Sequence, residues 1–176
     1  TNYYKLPIKS VGVQGDQRTY AHPALITTSD KQTPWDDLQN ISSQITNKNK
    51  DINRVLFLIS GNLTKIEKST IKPANLTKDR LNLLRQIDNI VNKNIQSCPG
   101  CSIIWQMPVV LIPFGHNKKE SIVLRPVESE EAMTVSFAKI PDNTMQKIVT
   151  EIEELNSIDY VFYDITNKPP GTIEWE

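Results

Sequence analysis

The chain has 176 residues, 38% hydrophobic and 23% charged, which suits one domain or two small ones with a core that needs no disulfide or metal staple. Its 20 Lys and Arg balance 20 Asp and Glu, which argues against a nucleic-acid surface. With no run of about 18 apolar residues, no charged-then-apolar leader at the start and only two cysteines, membrane, secretory and disulfide-framework classes are set aside, and an α/β chain of the cytoplasm is expected.

In chain order, Lys9–Gly15 (KSVGVQG) and Ala24–Thr28 (ALITT) carry strand patterns. Pro34 opens a helix over Trp35–Lys48, with Trp35, Leu38, Ile41 and Ile45 on one face. Arg54–Ser60 (RVLFLIS) is a nearly unbroken apolar run, the mark of a strand covered on both faces. The polar stretch Gly61–Asn75 reads as a surface excursion. Thr77 then caps a helix from Lys78 to about Ile95, striped by Leu81, Leu84, Ile87, Val91 and Ile95.

Strand patterns return at Ser102–Trp105, Pro108–Pro113, Ser121–Val127 and Met133–Lys139. Pro141 starts a third helix with Met145, Ile148, Ile152 and Leu155 inward, and Ile158–Ile165 (IDYVFYDI) is a last buried strand. Strand, strand, proline-initiated helix, strand therefore describes both Lys9–Ser60 and Ser121–Thr166, at an offset of roughly a hundred residues. The pattern implies an α/β (α+β) fold of two similar subdomains, each a small mixed sheet covered on one face by helices. Residues 1–60 and 118–176 would be the subdomains, and 61–117 a linking segment with a long helix and central strands.

Few residues suggest chemistry. Cys98-Pro99-Gly100-Cys101 follows a helix instead of preceding one, so the helix dipole does not stabilise a thiolate there, and the Pro-Gly pair reads better as a stop turn. A zinc site would have to borrow both His22 and His116, which sit in loops. No nucleophile-elbow, zincin or phosphate-loop motif occurs.

Two segments stand out. In Val13-Gln14-Gly15-Asp16-Gln17-Arg18, a strand ends in a glycine turn, where Asp16 can accept from ribose or purine groups and Arg18 can fork onto phosphate. The alternative is an ordinary Asp turn with a surface arginine. At the other end, KPPGTIEWE (Lys168–Glu176) joins two prolines, expected to hold it extended, with a cation at Lys168, an acceptor at Glu174 and an apolar anchor at Trp175. Such a tail docks either on its own domain or on a ligand.

These segments resemble the glutamine-hydrolysing GMP synthase family. KPPGTIEWE with VFYDIT before it is similar to that family's terminal signature, and LRPVESEEAMT (Leu124–Thr134) to the preceding segment. LPIKSVGVQGDQRTY (Leu6–Tyr20) and WQMPVVLIP (Trp105–Pro113) resemble the longer, eukaryotic-type form. The resemblance implies the C-terminal dimerisation and XMP-binding region of a larger polypeptide. The amidotransferase and ATP pyrophosphatase domains of that polypeptide would be partners of this chain, and it would work as a homodimer. XMP would be held by Asp16, Arg18, Gln106, Lys168, Ile173 and Glu174, with Ile173 acting through its backbone. The parent enzyme would use ATP and magnesium, whereas this chain would bind no cofactor or metal, supply no catalytic residue and be inactive alone. A competing expectation is a non-catalytic pairing module whose tail only anchors its own fold or a partner subunit. A redox protein working through Cys98 and Cys101 is a third.

Overall fold

The computed structural model describes residues 3–28, 35–118, 120–129 and 134–175. Its strands and helices are β1 (Tyr4–Lys5), β2 (Ser10–Gln14), β3 (Gln17–Ile26), α1 (Trp35–Lys48), β4 (Ile52–Gly61), β5 (Thr70–Ile71), α2 (Lys78–Gln96), β6 (Val109–Ile112), β7 (Phe114–Gly115), β8 (Ser121–Leu124), β9 (Val127–Glu128), β10 (Ser136–Phe137), α3 (Asp142–Glu154) and β11 (Tyr160–Asp164). The main sheet runs β1-β3-β4-β11-β8-β6, with β2 also paired to β3. Within each half two parallel strands are joined through a helix, β3–α1–β4 and β8–α3–β11. The halves meet where β4 and β11 pair antiparallel, from Tyr160 against Gly61 to Asp164 against Leu56. Mixed strand directions and three helices make this the expected α+β class.

Strand alternation divides the core in two. Ala24 and Ile26, Val55 and Phe57, Ile122 and Leu124, and Val161 and Tyr163 pack with residues of all three helices. Leu25, Leu56, Val123 and Phe162 point the other way, against Leu6, Ile8, Ile66 and Trp175. Helices thus cover one face, while the N-terminal segment, a 3-10 turn at Leu63–Lys68 and the chain end cover the other.

Several local expectations change. The strand expected at Ala24–Thr28 begins at Gln17, because Gly15 takes φ +66 and turns β2 back on β3 in a hairpin. Ser102–Trp105 is no strand; it follows a short 3-10 turn at Pro99–Cys101 that stops the chain after α2. Thr77 caps α2 as expected, accepting from the Arg80 backbone N–H. The α2 stripe is carried by Leu83, Ile87, Ile90, Val91 and Ile95, without Leu81 and Leu84. Pro34 and Met133 lie outside the described residues.

Candidate functional site

At one end of the β4–β11 pair, three charged side chains with no solvent exposure meet: Arg54 from β4, Asp164 from β11 and Arg125 just after β8. Arg54 Nη1 donates to Asp164 Oδ2 at 2.8 Å, and Arg125 Nη1 lies 3.0 Å from Asp164 Oδ1. Buried charges persist only when paired and hydrogen-bonded, and the remaining donors go largely to the chain end. Arg54 Nη2 donates to the Thr172 carbonyl at 2.9 Å and to the Thr172 hydroxyl at 2.6 Å. Arg125 donates to the Ile173 carbonyl at 3.0 Å and to the Thr166 carbonyl at 2.9 Å. Trp175 Nε1 donates to Asp164 Oδ2 at 2.8 Å, and its ring lies 4.8 Å from the Arg54 guanidinium, a cation–π contact.

Burial lowers the Arg54 pKa to about 10 against the opposing pull of Asp164, and lowers that of Arg125 in the same way. For Asp164, burial pushes upward, but Arg125, Arg54 and hydrogen bonds from Thr166 outweigh it and hold the carboxyl below its ordinary value. All three groups are therefore charged at neutral pH. Among the described residues Arg125 Nη2 is buried without a hydrogen-bond partner.

The chain end is thus docked on its own domain. The two prolines do not extend it: Lys168–Pro169 and Pro169–Pro170 are cis, and Gly171 N–H closes a turn onto the Asn167 carbonyl at 3.0 Å. Lys168 pairs with Val135 through backbone hydrogen bonds in both directions. The β2–β3 hairpin bears on the same segment: Val13 N–H donates to the Pro170 carbonyl at 2.6 Å and Val11 N–H to that of Trp175 at 3.2 Å. Gly12 faces Gly171 there, and an added Cβ at Gly12 would fall 2.7 Å from the Pro170 oxygen.

The expected ligand contacts divide into two groups. Lys168 is half-buried and Glu174 exposed on the docked tail, while Ile173 is buried against Val127 and Val135. Gln106 joins them through its backbone: it forms a bridge with Val127, the residue against which Ile173 packs, and its side chain faces outward. Asp16 and Arg18 stand exposed at the hairpin tip. Asp16 is three residues beyond Val13, within about 10 Å of extended chain from the tail. A cleft of about 600 Å³ opens between the hairpin, the end of α1 and Pro169–Pro170. Cys98 and Cys101 are joined as a disulfide in the turn after α2. No group of three or more His, Cys, Asp or Glu suited to a metal occurs among the described residues, and no helix there is long and apolar enough to cross a membrane.

Sequence reasoning missed Arg54, Arg125 and Asp164. The signal was present, since each interrupts or borders an apolar run (RVLFLIS, SIVLR, VFYDI) where an unpaired charge is untenable.

Fold and site define an α+β domain of two strand–helix–strand units whose terminal segment is clamped to one end of their shared junction. Its sequence places it in a family: the chain belongs to the GMP synthase C terminal domain family, which it matches over residues 3–72 and 93–175. It is 43% identical over 172 residues to a probable glutamine-hydrolysing GMP synthase of Leptospira interrogans, covering 97% of this chain and 28% of that protein. It is 33% identical over 189 residues to the GMP synthase of Dictyostelium discoideum, covering 97% and 26%. The Corynebacterium ammoniagenes enzyme matches at 42% over 111 residues, 57% of this chain and 21% of its own length. The chain thus matches between about a fifth and a little over a quarter of the length of these relatives.

Proposed function

We propose that this chain is the substrate-holding and pairing portion of a glutamine-hydrolysing GMP synthase, and that its tail contacts XMP during the ATP-dependent amination that yields GMP. The observation that carries this reading is the docked chain end, which leaves Lys168 half-buried and Glu174 exposed on a backbone fixed at both ends. Lys168 offers a point charge to the nucleotide phosphate, and Glu174 an acceptor to purine or ribose donors. Ile173, its side chain buried, contributes through its backbone. Gln106 brings both donors and an acceptor. Asp16 and Arg18 reach the nucleotide from the hairpin as acceptor and donor. Chemistry with ATP, magnesium and glutamine belongs to other domains of the synthase in the cytoplasm, so this chain alone would be inactive and bind no cofactor.

The pairing role is carried by a different feature. The strand β6 closes one side of the main sheet, and a strand edge presents backbone groups that a second copy can use. Trp175 bears on the competing view of the tail as a pure anchor, because its indole is buried in the chain's own fold.

Titration of the synthase with XMP tests the reading. Lys168→Ala should weaken XMP affinity at least tenfold; unchanged affinity and turnover would remove the tail from substrate binding. Light scattering on a version ending at Asn167 separates the roles. Loss of nucleotide binding with the dimer intact supports the substrate role, and loss of the dimer with binding intact supports the anchor.

A further inference from the structure

We propose that Arg54, Arg125 and Asp164 are positioning residues for XMP, holding the tail in its ligand-ready shape before the nucleotide arrives. This rests on the proposed XMP contact of the tail and names residues beyond it. Ordering a free segment costs conformational entropy at every residue, and a loose tail would subtract that cost from ligand affinity. Here the cost falls on folding. The carbonyls of Thr166, Thr172 and Ile173 all receive guanidinium donors from the two arginines, and Asp164 fixes both guanidiniums while accepting from Trp175.

Two details show that the cluster is shaped around the tail. Gly171 lies against the guanidiniums so closely that an added Cβ would fall 3.1 Å from Arg54 Nη1 and 3.3 Å from Arg125 Nη2. Glu174, flanked by clamped Ile173 and Trp175, lies in the field of both arginines, which its charge favours. Two guanidiniums face one buried carboxylate, and the negative charge of the exposed Glu174 favours the charged form of both. Arginine is needed for this geometry, because a planar fork serves a carboxylate and two carbonyls at once and an ammonium does not.

Steady-state kinetics of the intact synthase with Arg125→Lys, Gly171→Ala and Lys168→Ala tests the proposal. Arg125→Lys should raise the KM for XMP about tenfold, leaving kcat and the KM for ATP within twofold. Gly171→Ala, the milder change, should raise the KM for XMP several-fold and keeps the test open if Arg125→Lys does not fold. A merely structural role would lower kcat through loss of folded enzyme and leave the KM for XMP unchanged, which overturns the proposal. If Lys168→Ala raises the KM for XMP while the folded variants at Arg125 and Gly171 do not, positioning by the cluster is wrong and the tail contact stands. If none of the three moves it, both fail.

Discussion

The two ends of the β4–β11 junction are built on opposite principles. At one end Gly61 takes φ +128 and lies so close to its partner that an added Cβ would collide with the Tyr160 ring. The Tyr160 hydroxyl meets Ser69 at 2.8 Å, and the ring packs near Phe114 and Phe162. At the other end Arg54, Asp164 and Arg125 replace close apolar packing with an ion cluster, and the chain end closes over it. Apolar packing accepts any partner of the right size, whereas a buried charge accepts only a partner with matching donors and acceptors. The same strand pair thus ends in close ring packing on one side and, on the other, in charged, directional contacts that fix the shape of a segment.

Substitutions sharpen that contrast. Asp164→Ala leaves two guanidiniums buried without a carboxylate and should destabilise the chain by about 3–5 kcal/mol, read as a lower denaturation midpoint. Gly61→Ala forces an L side chain into a left-handed backbone beside Tyr160 and should cost about 2–3 kcal/mol, without altering the chain end. If the Gly61 change equals that at Asp164 and also loosens residues 166–175, the two ends are not independent. Trp175→Phe keeps a ring over Arg54 but removes the indole donor to Asp164, for an expected loss of about 1.5 kcal/mol.

The smallest effect near neutrality is that of pH. The folded-state pKa of Asp164 lies below its ordinary value. Its contribution is therefore complete above the unfolded carboxyl value, about 4, and disappears as pH falls through the folded value. Wild type should lose more stability than Asp164→Asn between about pH 5 and about pH 2. Parallel curves would contradict the ion-cluster account.

Much of this was legible in the sequence. Apolar-rich strand patterns mark β4, β8 and β11, and the periodic stripes of α1 and α3 fall on the helix-covered face as expected. The α2 stripe was shifted because its amphipathic face is set by the neighbours it meets, α3 and β6, which lie far off in sequence. The length of β3 depended on a hairpin partner instead of on its own alternation. The prolines suggested an extended tail, yet the arginines that shape it lie 118 and 48 residues away in sequence. Long-range ion pairs leave only a local trace, a charge inside an apolar run, without naming the partner.

The proposed XMP site joins the clamped tail to the hairpin over it. Hydrogen exchange of the intact synthase with and without XMP tests it most directly. Added XMP should slow exchange in residues 14–18, 105–107 and 168–174, and ATP alone should not. Unchanged exchange in all three segments at saturating XMP would contradict it.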